Sequence, residues 1–422
     1  MRVAGIIRPP GDKSITHRML MLAGLARGRS RIAGALTATD VKSTARALRL
    51  LGPRVGVLRR GAAVVVDGTC WRAPTRTVHC GNSGTAARLL MGILAAHPFA
   101  VRLTGDGSLR RRPMGRVTEP LRRMGATFTT APDDRLPLTV RGGSLHGIDY
   151  DAPIASAQVK SAILLAGLVG DVTVTVTEPW RSRDHTERLL IYLGCDLRQE
   201  GTRVTLAGGA TAKLVPFDMT VPGDPSSAAF LVAAAILAED GELVLERVGV
   251  NPTRAGFLRV LDRMGARVER ADERWVGNEP VADLLIRPAS LRATEVSAAE
   301  IPGLVDEIPI LAVLASRASG ESIFRRVGEL RVKESNRLEL LAANLRAVGC
   351  RAEVQGDDLY VAGSDAPPQG RVETAGDHRI AMAFAVLGTL ERASVTLSER
   401  ASPAISYPGF FDDLARIDTD AR

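Results

Sequence analysis

Hydrophobic and polar positions along the chain repeat with a long period. One pattern recurs six times at about 70-residue spacing, the signature of an internally repeated architecture. Each copy opens with a short polar motif, runs into a helix of small and aliphatic residues, and then enters a strand. The openings are DKSITHRMLMLAGL from Asp12, GNSGTAARLLMGIL from Gly81, ASAQVKSAILLAGL from Ala155, DPSSAAFLVAAAIL from Asp224, VDEIPILAVLA from Val305 and DHRIAMAFAVLG from Asp377. Alternating stretches that follow, such as VTVTV at 172–176 and ELVL at 242–245, read as half-buried strands. A second, more amphipathic helix is expected in every copy. The pattern predicts such helices at 41–51, 119–124, 185–193, 253–264 and 337–348, each followed by a glycine. Glycine suits the left-handed conformation in which helices commonly end. The repeat is thus roughly helix–strand–helix–strand–strand, with the small-residue helices buried on most sides.

Six repeats exceed what one core holds, so three per domain predicts an α/β (α+β) protein of two similar domains of about 200 residues. The expected boundaries are 12–222 for the first domain, and 1–11 plus 223–422 for the second. Proline- and glycine-rich breaks mark hinges near 8–12 (RPPG) and 221–225 (VPGDP). Residues 1–11 are therefore expected to return to the C-terminal half, with domain motion about the two crossings.

Composition narrows the function classes. With 45% hydrophobic and 24% charged residues the chain is ordinary globular protein. The net charge is +8, and of 55 basic residues only Lys13, Lys42, Lys160, Lys213 and Lys333 are lysines. Aromatics at 4% argue against a single-stranded nucleic-acid platform, which stacks bases on aromatic rings. The excess charge points to small anionic ligands at least as strongly as to nucleic acid. Cys70, Cys80, Cys195 and Cys350 lie far apart with no metal-ligand spacing, so neither a disulfide framework nor a zinc site is expected. The N-terminal MRVAGIIRPPGDKS lacks the apolar core of a signal peptide, and the longest apolar run, 228–238, is too short to cross a bilayer. A cytoplasmic protein, away from membranes, is expected.

The repeated openings set polar groups and backbone N–H donors at helix N-termini, which suit anions. Simple capping by Asp12, Asp224 and Asp377 is the alternative. Three of the five lysines nevertheless fall in these motifs: Lys13 in GDKS, Lys160 in SAQVK and Lys333 in RVKES. In a chain that otherwise uses arginine, this suggests that a point charge is needed there. Lys42 and Lys213 read as surface lysines. RRRPMGR (110–116) reads as a loop with four arginines, while Arg337 and Arg379 stand at or near helix starts, where bidentate contact with an anion is possible. For proton transfer the candidates are Asp306, with capping as its alternative, and Glu334, with a surface ion pair as its alternative. His17, His185 and His378 also lie in polar motifs, without metal-ligand spacing. No cysteine stands in a motif, so thiol catalysis lacks a nucleophile.

The ordered set GDKSITHR, GNSGTAAR, RRRPM, SAQVK, SRDHTE, VDEIP, RVKESNR and GDHRIAM resembles the EPSP synthase (3-phosphoshikimate 1-carboxyvinyltransferase) family, from about residue 8 to residue 410. The resemblance implies the enolpyruvyl transferase fold: two domains of three βαββ-type repeats each, an inside-out α/β barrel, closing around the substrates. It implies transfer of the enolpyruvyl group of phosphoenolpyruvate to the 5-hydroxyl of shikimate 3-phosphate, with release of phosphate and no metal or organic cofactor. Carried over motif by motif, shikimate 3-phosphate falls to Lys13, Ser14, Arg18, Ser156, Ala157, Gln158, Arg183, Asp306 and Lys333. Phosphoenolpyruvate falls to Lys13, Gly84, Arg112, Gln158, Arg337 and Arg379. Asp306 is the implied base, Glu334 the implied acid, and Lys13 the implied catalytic cation near both. A monomer is the implied state.

Two features depart from the family pattern. Many members carry a C-terminal lysine that touches phosphoenolpyruvate, whereas this chain has SPAISYPGFF at 402–411. GDKS, SAQVK, RDHTE and NPTR (251–254) together are similar to the class II subgroup, known for glyphosate tolerance, yet Gly84 lacks the extra methyl of some tolerant members. Intermediate to high tolerance is expected. The rival readings are the sister transferase acting on UDP-N-acetylglucosamine, which usually carries a loop cysteine where this chain has RRRPM, and a non-catalytic anion- or RNA-end-binding protein of the same architecture.

Overall fold

The computed structural model describes residues 1–209 and 214–420, so Lys213 lies outside the described residues. The chain opens with β1 (Arg2–Ile7). The first repeat follows as α1 (Lys13–Leu25), β2 (Gly28–Ala33), α2 (Thr39–Leu51), β3 (Arg54–Val55) and β4 (Val64–Gly68). The second contains β5 (Val78–His79), α3 (Gly84–Ala95), β6 (Ala100–Thr104), α4 (Gly107–Arg111), α5 (Gly115–Arg123), β7 (Thr127–Ala131) and β8 (Arg135–Arg141). The third is β9 (Ile148–Asp151), α6 (Ala157–Gly170), β10 (Val174–Thr177), α7 (His185–Tyr192), β11 (Leu197–Glu200) and β12 (Arg203–Leu206), after which comes β13 (Asp218–Thr220). The fourth is α8 (Pro225–Ile236), β14 (Asp240–Gly249), α9 (Gly256–Arg263), β15 (Glu269–Val276) and β16 (Glu279–Ile286). The fifth is β17 (Glu295–Val296), α10 (Ile308–Ala315), β18 (Glu321–Phe324), α11 (Arg337–Ala347), β19 (Arg351–Gln355) and β20 (Asp358–Ala362). The sixth is β21 (Gln369–Val372), α12 (His378–Leu387), β22 (Ser394–Leu397) and α13 (Phe410–Ile417).

Strand pairing completes the repeat. In the second repeat β5 runs parallel to β6, β6 antiparallel to β8, and β8 antiparallel to β7. The same order recurs as β13-β2-β4-β3, β9-β10-β12-β11, β1-β14-β16-β15 and β17-β18-β20-β19, while the sixth repeat keeps only the parallel pair β21-β22. Each full repeat therefore reads βαβαββ. The leading strand is absent from the repeat as read from the sequence; β5 and β17, of two residues each, cannot show a period of two. The first repeat takes its leading strand from β13, and the fourth takes its own from β1.

The chain accordingly divides into a first unit, Gly11–Val221 with Val276–Glu279, and a second, Met1–Pro10 with Pro222–Trp275 and Pro280–Arg422. The expected boundary gave 223–422 wholly to the second domain, and the tip of the β15–β16 hairpin departs from it. Hydrogen bonds account for the difference: Arg188 Nη1 donates to Asn278 O at 3.0 Å, and Asn278 Nδ2 donates to Arg188 O at 3.2 Å. Each unit has its own apolar cluster. In the first, α3 meets α6 so closely that a Cβ on Gly92 would lie 2.2 Å from Ala162 O. Only glycine fits there.

Local details follow the pattern, with one correction. Gly52, Gly125, Gly194, Gly265 and Gly349, each closing a second helix, adopt positive φ. The arginine stretch 110–116 is not one loop. It spans the end of α4, a short link at Arg112–Met114, and the start of α5, which begins four residues before its expected position. Asp106 makes α4 possible by accepting from Leu109 N at 2.8 Å.

Candidate active site

Helix starts position nearly every candidate residue, and side-chain caps shape them. Asp12, Ser83, Ser156, Asp224 and Asp377 each accept a backbone N–H at the first turn of their helix. The three aspartates are therefore caps, as their simpler reading had it. The cations stand beside them.

In the first unit Lys13, at the start of α1, places Nζ 3.3 Å from Asp40 Oδ2. One turn on, Arg18 is buried; its Nε donates to Thr186 Oγ1 and its Nη2 to Ser161 Oγ, both at 2.7 Å, and its Nη1 to Ser14 O at 2.9 Å. Burial, aided by the charge of Arg183, lowers the Arg18 guanidinium to about 10 against the pull of Glu187 and Asp12. Arg18 and Arg183 thus lie within electrostatic reach of one another, and Ser156 and Ala157 at the start of α6 are partly exposed.

A second cationic set gathers at the start of α3. Arg88 Nη1 donates to Gln158 Oε1 at 2.6 Å and Nη2 to Pro113 O at 2.9 Å, while Gln158 Nε2 donates to Thr85 Oγ1 at 3.0 Å. Arg112 Nη2 donates to Asn82 Oδ1 at 2.6 Å. Both guanidiniums flank Gly84: a Cβ added there would lie 3.0 Å from Arg88 Nη1 and 3.5 Å from Arg112 Nη1. Arg88 escaped the sequence reading although it ends the GNSGTAAR motif, one helical turn from Gly84.

Lys160 overturns an expectation. Despite its place in SAQVK it is wholly buried, with Nζ 2.6 Å from Glu178 Oε2 and 2.8 Å from Glu187 Oε1. Burial alone would lower its ammonium, but Glu187 and Glu178 outweigh that and raise it. Two carboxylates already neutralise this lysine, so its charge is spent on the interior. Rarity of lysine could not separate it from Lys13.

In the second unit Arg337 is fully buried. Its Nε lies 2.9 Å from Asp377 Oδ2 and its Nη2 2.5 Å from Glu334 Oε2, and these anions raise its pKa against the cost of burial. Asp306, partly exposed, places its carboxylate oxygens 3.8 Å from Arg337 Nη1 and 3.8 Å from Arg379 Nη2. Arg379 Nη1 also donates to Asp306 O at 2.7 Å. Asp306 is not the cap of α10: that position is Glu307, whose side chain makes no capping bond. Glu334 is no ordinary surface pair either, since its partner is buried. Burial lowers the Lys333 ammonium, and Asp306 and Glu329 only partly restore it.

Two of the three motif histidines are bonded inside the first unit. His17 Nδ1 is 2.7 Å from Thr44 Oγ1 and His185 Nδ1 2.7 Å from Glu279 Oε1. Among the described residues no group of three or more His, Cys, Asp or Glu is arranged to hold a metal ion. No helix among them is long and apolar enough to cross a membrane. In the C-terminal stretch without the lysine, the nearby cation Arg400 stacks 4.1 Å over the Phe411 ring.

Comparison with known proteins then decides the family. The model of EPSP synthase (3-phosphoshikimate 1-carboxyvinyltransferase) matches residues 1–414. The chain belongs to the EPSP synthase family. A 3-phosphoshikimate 1-carboxyvinyltransferase of Alkalilimnicola ehrlichii is 46% identical over 97% of this chain and 92% of its own. One from Desulfitobacterium hafniense is 44% identical over 99% and 96%. Among solved structures, EPSP synthase from Acinetobacter baumannii superposes with a TM-score of 0.86 at 39% identity, covering 98% of this chain and 95% of that one. The enolpyruvyl transferase NikO of Streptomyces tendae shares the fold, with a TM-score of 0.78 at 21% identity over 99% and 95%. The enolpyruvyl transferase fold expected from the motifs is thus the fold of this chain.

Proposed function

We propose that the chain catalyses the EPSP synthase reaction: the enolpyruvyl group of phosphoenolpyruvate passes to the 5-hydroxyl of shikimate 3-phosphate, and phosphate is released. The family match over residues 1–414 carries this reading. Roles are those the family motifs imply for these residues. Arg18 and Arg183, with Ser14, Ser156, Ala157 and Gln158, hold shikimate 3-phosphate. Gly84, Arg112 and Gln158, joined by Arg88, hold phosphoenolpyruvate together with Arg337 and Arg379. Lys13, oriented by Asp40, serves both substrates, and Lys333 serves shikimate 3-phosphate.

The chemistry needs a base and an acid. Asp306 takes the proton of the 5-hydroxyl as its oxygen bonds to C2 of phosphoenolpyruvate, while Glu334 protonates the methylene carbon. A tetrahedral intermediate results. Its C–O bond to phosphate then breaks as a methyl proton leaves, which restores the enol ether. Fixed guanidiniums stabilise charge on the leaving phosphate without reorganising, since their partners already hold them. Neither metal nor organic cofactor takes part. The enzyme works as a cytoplasmic monomer, independent of nucleic acid and membranes, with intermediate to high tolerance to glyphosate.

A phosphate-release assay tests the reading. Release should require shikimate 3-phosphate and should not occur with UDP-N-acetylglucosamine as acceptor. Asp306→Asn should lower kcat by roughly 10²–10⁴. Near-normal turnover in Asp306→Asn or Lys13→Ala would overturn the assignments, and a glyphosate inhibition constant well below KM for phosphoenolpyruvate would refute tolerance.

A further inference from the structure

Two features of the second unit have no part in the reaction as assigned: the NPTR motif and the buried carboxylate of Glu307, next to the proposed base. They belong to one hydrogen-bonded chain. Asn251 Oδ1 accepts from Thr253 N at 2.9 Å and from Thr253 Oγ1 at 2.8 Å, while Arg254 N donates to Asn251 O at 2.8 Å. This turn aims buried Arg254 at the start of α8. There its Nη2 donates to Ser226 Oγ at 2.6 Å and to Asp224 Oδ1 at 3.1 Å. Ser226 Oγ in turn donates to Glu307 Oε1. Glu307 is 1% exposed and places Oε1 3.8 Å from Arg379 Nη1, the same nitrogen that donates to Asp306 O.

Helix capping does not require such an arrangement. Asp224 already caps α8 through Ser226 N at 2.9 Å, and the carboxylate of Glu307 makes no capping bond to its own helix. Buried ion pairs contribute little net stability against apolar replacements of equal volume, but they hold geometry. This chain of groups ends on the ion pair of Glu307 with Arg379, at 3.8 Å. Around Asp306 itself stand the cations Arg337, Arg379 and Lys333; Asp377 and Glu334 pair with Arg337, Glu329 lies beside Lys333, and Glu307 is the anion that faces Arg379 from the adjacent position.

We propose that Glu307 and Arg254 are positioning residues for enolpyruvyl transfer: through Ser226 they fix Arg379 against the Asp306 backbone and balance the charge around the Asp306 carboxylate. The inference rests on the roles proposed above for Asp306 and Arg379. Arg254→Met leaves Ser226 and Asp224 without their cation and so frees the hydroxyl that bonds Glu307, and Glu307→Gln removes the anion at nearly constant shape.

The test is steady-state phosphate release with both substrates varied, from acid to neutral pH, on wild type, Glu307→Gln, Arg254→Met and Arg254→Lys. Glu307→Gln should raise KM for phosphoenolpyruvate on the order of tenfold, the scale of losing one charge–charge contact at about 4 Å near a protein surface. KM for shikimate 3-phosphate should stay within about twofold. The acidic limb of kcat/KM should move to lower pH, because Asp306 loses an anionic neighbour and gives up its proton more readily. Arg254→Met should weaken phosphoenolpyruvate in the same way, and Arg254→Lys should recover part of the loss. Should Arg254→Met fail to fold, the near-isosteric Glu307→Gln still decides. A lower melting temperature with wild-type KM for phosphoenolpyruvate and an unmoved acidic limb would overturn the inference and leave a purely structural network. Absence of phosphate release by the wild type itself would instead overturn the reaction reading, and this inference with it.

Discussion

Arg18 in the first unit and Arg337 in the second are both sealed from solvent, yet they are held by opposite kinds of partner. Hydroxyls and a backbone carbonyl hold Arg18. Carboxylates hold Arg337: Asp377 along one edge and Glu334 at the other. Their acidities separate accordingly, with Arg18 pushed down to about 10 by burial and Arg337 raised by its anions. A buried cation with neutral partners keeps its charge for a ligand. One locked between carboxylates supplies a rigid frame, and it holds Glu334 in the orientation on which its proposed proton transfer depends.

Paired substitutions put the largest effect on that contrast. Arg337→Met strands Asp377, which is fully buried, and should destabilise the protein by about 3–5 kcal/mol in urea unfolding. Arg18→Met leaves only neutral groups without their donor and should change stability by less, about 1–2 kcal/mol. Its main effect should appear as a large rise in KM for shikimate 3-phosphate. Equal losses of stability would remove the distinction.

Acid sharpens the comparison. His17 is held neutral, with its pKa lowered to about 3 by burial and by the charges of Lys13 and Arg18. An unfolded histidine titrates near 6.5, so between these values the unfolded chain binds the extra proton. The stabilisation is complete above pH ~6.5 and declines as pH falls toward ~3, by roughly 4 kcal/mol at about 1.4 kcal/mol per pH unit. His17→Asn, which can still bond Thr44, should flatten this part of the stability–pH profile. An unchanged slope would mean that another group carries the acid sensitivity.

The smallest effect concerns the second cationic set. Gly84→Ala would press a methyl group against Arg88 Nη1 at 3.0 Å, and a guanidinium can yield by a few tenths of an ångström. KM for phosphoenolpyruvate should rise about tenfold or less, with KM for shikimate 3-phosphate unchanged. A comparable rise in both constants would show that the two cationic sets are not separate.

Much of this protein was legible in its sequence because the signals are local. Helical periodicity marked all six small-residue helices, and glycine marked the ends of their amphipathic partners. Motif order pointed to the family, and through it to Lys13, Arg18, Asp306 and Glu334. Misreadings arose where a residue's meaning depends on distant partners. Lys160 and Lys13 look alike in the sequence, and only Glu178 and Glu187 tell them apart. Arg88 and Glu307 stood inside quoted motifs, but their partners Gln158 and Ser226 lie some 70 to 80 positions away.

By itself the sequence determined the repeat, the helices and the chemistry on offer, since each is written within a turn or two of chain. Tertiary structure decided which leading strand completes which repeat, with β1 pairing to β14 and β13 to β2 across about 200 residues. It also decided which charges are already neutralised. Both outcomes depend on long-range pairing and on burial, because a charge becomes available or spent only when the groups packed around it have replaced water.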